Sequence, residues 1–279
     1  MKAYWELTKP RITWLILMST AVGYFAGRPA QWDAWQLLHA LLGTALMASG
    51  TAALNQWYER DTDARMRRTR HRPIPAGSVT PGRALVFGLA VSLAGFLELW
   101  LGARPLAALC GLATLLLYLL AYTPLKTRTP HAMAAGAIPG AMPPLIGYAA
   151  ASGSLDAPAW ALFLILLLWQ FPHFLAIGWM YREDYARGGI RMLPVLDSDG
   201  SRTGRQALLF SALLIPAAML PALLGAAGWF YVAGALALGI AMLRAASALA
   251  RARSVAAARG LLRATILYLP ALYLLMMAG

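Results

Sequence analysis

The chain has 279 residues, 60% of them hydrophobic and only 13% charged. A soluble domain carries roughly 25% charged residues, so this composition excludes disorder and disfavours an ordinary water-soluble fold. Lys and Arg number 24 against 11 Asp and Glu, a net charge of +13, and the single cysteine excludes an intrachain disulfide and a Cys-based metal cage. The basic excess sits between apolar runs, which points to membrane topology and no nucleic-acid partner.

Nine apolar runs follow one another: 12–27, 37–56, 84–103, 106–122, 132–151, 158–180, 206–225, 227–247 and 260–278. Several reach the roughly 20 residues that a bilayer span needs; the first, fourth and ninth are somewhat short. None has the period-2 alternation of an outer-membrane strand, so a helical bundle is the spanning structure that fits. The expected fold is an all-α integral membrane protein, with nine transmembrane helices in a single domain over residues 1–279. The first run follows Lys2, Lys9 and Arg11 in the manner of a signal peptide, but as one of nine similar runs it is expected to stay as the first helix. Runs three and four are parted only by Arg104-Pro105, a tight turn between helices.

With a cytoplasmic N-terminus, 22 of the 24 Lys and Arg fall inside and only Arg28 and Arg104 outside. That is a strong positive-inside bias, and nine crossings then put the C-terminus outside. The longest inside loops, 57–83 and 181–205, hold seven of the eleven acidic residues. They follow the second and sixth helices, which suggests two related halves of four helices plus a ninth.

The first loop opens with Asn55, Glu59 and Asp63, spaced i, i+4, i+8. On a helix these drift by only about 40° per step and share one face, from which Asp61 points away. Oxygen ligands at a membrane boundary suit Mg²⁺, which is usually held by one or two carboxylates plus substrate phosphates. An arginine-rich stretch, Arg65 to Arg72, follows. Guanidinium forks bind phosphate oxygens bidentately, so a diphosphate is the expected ligand. Arg67 and Arg70 are the chosen contacts, although spacing does not separate them from Arg68 and Arg72. Lys126, at the inner end of the fourth run, is read equally as a phosphate partner or a topology charge.

His173 lies in Trp169-Gln170-Phe171-Pro172-His173-Phe174, about two turns before the inner end of the sixth run. It is read as a core histidine or as a ligand or base. The second acidic cluster, Tyr181-Arg182-Glu183-Asp184-Tyr185, could supply a second metal. Asp197 and Asp199 look like turn residues in a solvated loop. Glu98 is expected to reach Arg104 or the interface, and His39 has no constellation around it.

The run from Asn55 to Pro73 resembles the signature of the protoheme IX farnesyltransferase (heme O synthase) family of UbiA-type intramembrane prenyltransferases. Leu7 to Thr13, Tyr122-Thr123 with Lys126, Pro143-Pro144, Gln170 with Pro172-His173-Phe174, Tyr181 to Tyr185 and Met192 to Val195 extend the resemblance over roughly the first 200 residues. It implies nine helices around a cavity with two carboxylate motifs over its cytoplasmic mouth. Asn55, Glu59 and Asp63 match the first metal motif, Glu59 standing where the superfamily usually has Asp. Asp184 matches the second, where Gly188 replaces a frequent further acid. His173 matches the family's Pro-His-Phe element.

The resemblance implies farnesyl transfer from farnesyl diphosphate to a vinyl group of heme B, giving heme O, with Mg²⁺ as cofactor. Asn55, Glu59, Asp63, Asp184 and His173 are then the expected catalytic residues, and Arg67, Arg70, Lys126 and Arg182 the expected diphosphate ligands. Mg²⁺ and the arginines would neutralise the departing diphosphate, the vinyl carbon would attack the allylic cation, and water would capture the porphyrin-stabilised cation. Membrane lipids are the expected surroundings, and with no transit peptide legible the expected location is a bacterial cytoplasmic (inner) membrane. Heme O would pass to a consumer such as a heme A synthase or a terminal oxidase. The rival readings are a UbiA-type enzyme acting on 4-hydroxybenzoate or a related aromatic, a CDP-alcohol phosphotransferase and a transporter. The clustering of acids at one face disfavours the last of these.

Overall fold

A computed structural model describes residues 1–27 and 33–278, with Arg11 described by its backbone alone, and every regular element among them is helical. Arg28, one of the two basic residues expected outside, lies beyond the described residues. In chain order the helices are α1 (Lys2–Leu7), α2 (Pro10–Ala26), α3 (Ala34–Tyr58), α4 (Arg60–Arg65), α5 (Pro81–Glu98), α6 (Pro105–Leu116), α7 (Thr123–Leu125), α8 (Ala132–Gly140), α9 (Pro143–Ser152), α10 (Ala157–Met180), α11 (Arg182–Arg187), α12 (Leu193–Leu196), α13 (Ser201–Leu223), α14 (Trp229–Ala252) and α15 (Val255–Ala278). Short π-helical stretches, Leu99–Ala103 and Leu117–Tyr122, extend α5 and α6.

Sequence fixes the helix ends by ordinary means. Asp33 accepts hydrogen bonds from the Trp35 and Gln36 amides at the start of α3, and Thr80 accepts one from Arg83 at the start of α5. Pro81, Pro105 and Pro143 occupy first-turn positions where a missing N–H costs nothing.

Seven helices are long and apolar enough to cross a membrane: Ala34–Tyr58, Pro81–Ala103, Pro105–Leu125, Ala157–Met180, Ser201–Leu223, Trp229–Ala252 and Val255–Ala278. The other two expected spans differ. α2 has 17 residues, about 25 Å of helix. The fifth run is broken into α8 and α9 at Ala141-Met142, because Pro143 and Pro144 cannot donate into a continuing helix. Among the described residues the full-length spans therefore number seven.

The outer surface is apolar: Trp14, Leu101, Leu120 and Trp229 are 72–80% exposed. Such a belt would aggregate in water and is at home in hydrocarbon. The chain is a multi-pass integral membrane protein. Inside, the larger apolar cluster joins α10, α13, α14 and α15 through Trp169, Leu214, Met242 and Leu261. A smaller one joins α2, α3, α6 and α9 through Tyr24, Met47, Ala107 and Ile146. Where α2 meets α9, a Cβ on Gly147 would overlap the Thr20 carbonyl, so only glycine permits that approach.

Candidate active site

The site is built at one end of the bundle, where α3 bends into α4. Glu59 sits at the joint with φ −88° and ψ 6°. The helical hydrogen bonds nevertheless run through it, Glu59 N to Asn55 O at 2.9 Å and Asp63 N to Glu59 O at 2.7 Å. Asn55, Glu59 and Asp63 therefore keep their common face across the bend. Asn55 and Asp63 are each 1% exposed, whereas Asp61 faces solvent.

Basic side chains face this row one by one. Lys9 Nζ donates to Asn55 Oδ1 at 3.2 Å. Lys126 Nζ lies 2.7 Å from Glu59 Oε1 and 4.4 Å from the Tyr122 ring centre. Arg72 Nη1 lies 2.6 Å from Asp63 Oδ2. Asn55 Nδ2 also donates to Thr123 Oγ1 at 3.3 Å. The π-helical stretch Leu117–Tyr122 leads into Thr123 and Lys126, and π-bulges of this kind often mark functional sites.

Asp184 does something other than face the row. Its two carboxylate oxygens accept the backbone N–H groups of Arg67 and Arg68 at 2.8 and 3.1 Å. Thr69 Oγ1 donates to the Asp63 carbonyl at 2.9 Å. These bonds wrap the arginine stretch over the end of α4. Arg68 lies against the rings of Tyr181 and Tyr185 and donates to the Tyr185 hydroxyl at 3.2 Å. Arg68 and Arg72 line a cavity of about 340 Å³ together with Glu6, Lys9, Gln56 and His71. Arg67 and Arg70 are exposed, Arg70 Nε donating to His71, and neither lines that cavity. Arg182 stacks on Trp179 at 4.2 Å rather than on the row.

Electrostatics at the mouth are dominated by burial and by this interleaving. Burial, reinforced by Arg72 and Lys126, lowers the Lys9 pKa to about 7 despite the nearby carboxylates. Burial raises Asp63, and Arg72 offsets only part of the rise. Glu59 is also raised by burial, but Lys126, Lys9 and Arg72 outweigh it and the net shift is downward. Burial acts against Asp184 too, yet the Arg68 and Arg67 amides bring it below the usual carboxylate range.

The residues fit a divalent cation on two counts. Among the described residues Asp63 Oδ1 is buried with no hydrogen-bond partner, a costly state for a carboxylate oxygen unless a cation uses it. The donor set, two carboxylates and an amide oxygen, is the hard-oxygen chemistry of Mg²⁺. Among the described residues no three His, Cys, Asp or Glu side chains gather tightly enough to hold a metal unaided. That suits an ion shared with substrate phosphates.

Lys9, Thr123 and Gln56 stand at the mouth although the sequence did not single them out, whereas Arg68 and Arg72, which spacing left inseparable from Arg67 and Arg70, are the arginines that line the cavity. Lys9 carried one signal, a Lys-Pro pair; it adopts a left-handed φ of 50° where α1 turns into α2. Two quieter expectations also change. Glu98 pairs with His39 at 2.7 Å, and Arg104 instead donates to the Ala150 carbonyl at 3.1 Å. Asp197 is buried and accepts both the amide and the hydroxyl of Thr203 at 2.7 Å, so it caps α13. His173 lies deeper, against α15, with Nδ1 2.8 Å from Thr265 Oγ1.

The UbiA prenyltransferase family matches residues 16–269. A relative from Solibacter usitatus (strain Ellin6076), named protoheme IX farnesyltransferase, is 55% identical over 99% of this chain and 98% of its own. Among solved structures, one described for digeranylgeranylglyceryl phosphate synthase superposes with a TM-score of 0.81 at 18% identity, covering 100% of this chain and 97% of the other. A UbiA homolog from Archaeoglobus fulgidus bound to GPP and Mg²⁺ superposes at 0.68 with 18% identity, covering 99% of each chain.

Proposed function

The chain belongs to the UbiA prenyltransferase family, and from that premise we infer that it transfers a farnesyl group from farnesyl diphosphate to heme B (protoheme IX), giving heme O and diphosphate. The observation that carries this reading is the acidic row interleaved with lysine and arginine, in a chain that matches a named protoheme IX farnesyltransferase end to end.

Asn55, Glu59 and Asp63 would hold Mg²⁺, which supplies positive charge to a departing diphosphate. The chain's own cations do the rest. Arg68, Arg72 and Lys126, with Lys9 adding part of a charge, give the mouth a cationic face beside Glu59 and Asp63 that attracts and neutralises a diphosphate. Arg72, with its planar fork, bonds phosphate oxygens while keeping Asp63 in place. Lys126 is held by Glu59 and by the faces of Tyr118 and Tyr122, and is aimed before substrate arrives. Asp184 shapes the arginine loop through its two amide hydrogen bonds. Cleavage of the C1–O bond releases diphosphate and leaves an allylic cation; a vinyl carbon of heme attacks it, and water adds to the resulting cation, losing a proton to leave a hydroxyl. The apolar interior keeps other water from the first cation.

The protein works in a bacterial cytoplasmic membrane, as one prenyltransferase domain. Its N-terminus is inside and its C-terminus outside, with α2 and the broken pair α8 and α9 completing nine crossings. Release of pyrophosphate from farnesyl diphosphate, measured in purified protein, tests the reading. It should require Mg²⁺ and rise with heme B but not with 4-hydroxybenzoate. Release driven by 4-hydroxybenzoate and not by heme would overturn the acceptor, and no release with either would overturn the enzyme reading.

A further inference from the structure

Within the bundle the hydrogen bonds of one histidine select a single tautomer. His173 lies on α10 seven residues before Met180, about 10 Å from the helix end. Its ring stacks on Trp169, with centres 4.7 Å apart at 22°, and meets Phe174 edge-on at 5.5 Å. Trp169 is itself anchored, donating Nε1 to the Thr265 carbonyl at 2.8 Å.

The second anchor decides the chemistry. His173 Nδ1 lies 2.8 Å from Thr265 Oγ1, and the same hydroxyl lies 2.7 Å from the Leu262 carbonyl. A hydroxyl has one proton, and a carbonyl can only accept. The Thr265 proton therefore goes to Leu262, and its oxygen accepts from His173. In the neutral ring Nδ1 therefore carries the hydrogen and Nε2 the lone pair. Among the described residues no hydrogen bond reaches Nε2. Thr265 is fully buried and covers the Nδ1 edge, while His173 itself is half-buried. Trp169 and Phe174 flank the imidazole, and Leu15, Met18 and Leu262 pack against the apolar cluster that holds Trp169; apolar and aromatic surroundings suit a flat macrocycle rather than a hydrated ion.

We propose that His173 Nε2 is the axial ligand to the iron of the heme acceptor and that Thr265 is the positioning residue that fixes its tautomer. This rests on the acceptor reading above. A ligand on residue 173, about 10 Å along α10 from the end that leads to the mouth, would leave one edge of the macrocycle free to face the departing diphosphate. The threonine acts as the outer hydrogen-bond partner that metal-bound histidines generally need.

The test titrates heme B into the full-length protein in detergent and reads the Soret band, the EPR spin state and the ferrous iron–histidine stretch. Farnesyl diphosphate binding serves as the control for folding. Wild type should show histidine ligation. His173→Ala should lose that signature, regain it with added imidazole, and still bind farnesyl diphosphate. Thr265→Val should keep the ligation but shift the stretch and weaken heme binding by about tenfold or more. An unchanged histidine signature in His173→Ala would overturn the proposal and leave the acceptor reading intact. The same holds if Thr265→Val matches wild type in both stretch and affinity, for the positioning role. Failure of wild type to bind heme B while it binds farnesyl diphosphate would overturn both.

Discussion

Asp63 has one carboxylate oxygen on Arg72, and the other is buried with no partner among the described residues. Removing that carboxylate leaves Arg72 without its partner and takes away a proposed ligand of the metal. Asp63→Ala should lower farnesyl transfer by about 100-fold or more at equal protein levels. The arginines should separate in the same assay. Arg72→Ala should raise KM for farnesyl diphosphate and lower kcat, whereas Arg67→Ala should leave both near wild type, since Arg67 contributes its backbone amide to Asp184. Equal losses from the two would contradict the geometry. The row of Asn55, Glu59 and Asp63 was legible because helical periodicity survives the bend at Glu59. The choice among arginines was not, because residues 66–72 have no period. Their facing is set by Asp184, more than a hundred residues away in the chain.

At the level of elements, the loop after α4 owes its shape to α11. Asp184 supplies two hydrogen bonds from a charged acceptor, each worth about 1.5–3 kcal/mol. Asp184→Ala should loosen residues 66–72, seen as faster proteolysis there, and raise KM for farnesyl diphosphate by about tenfold, the equivalent of one such bond. A loss of Mg²⁺ binding with an intact loop would instead make Asp184 a metal ligand. The contact of α2 with α9 is the other sensitive joint. Gly147→Val would push Thr20 away and should cost about 1–3 kcal/mol, read as a lower Tm in detergent. The fifth apolar run shows what hydropathy alone misses. Its 20 residues read as one span, and only Pro143-Pro144 signals the break that makes two half-helices. The π-helical stretch before Thr123 left no signal in the pattern at all.

For the whole molecule, apolar runs and basic loops made the class of fold plain. Hydrocarbon admits backbone only as helices or closed barrels, the runs lack the alternation of barrel strands, and the basic residues gather in alternate loops. What the pattern could not supply was the packing that brings Lys9, Lys126 and the arginine loop to one mouth, since those approaches are long-range. The proposed orientation is checked with single cysteines in a Cys110→Ser background. Ala157→Cys should react with an impermeant maleimide on intact cells, and Ser78→Cys only in inverted vesicles. The central claim, that this mouth passes a farnesyl group to heme, is tested most directly by weighing the product. Membranes containing the protein are incubated with farnesyl diphosphate, Mg²⁺ and heme B, and the extracted heme is analysed by mass spectrometry. The account predicts a heme heavier by farnesyl plus water, abolished by EDTA and by Asp63→Ala. Unchanged heme from folded protein that binds farnesyl diphosphate would contradict it.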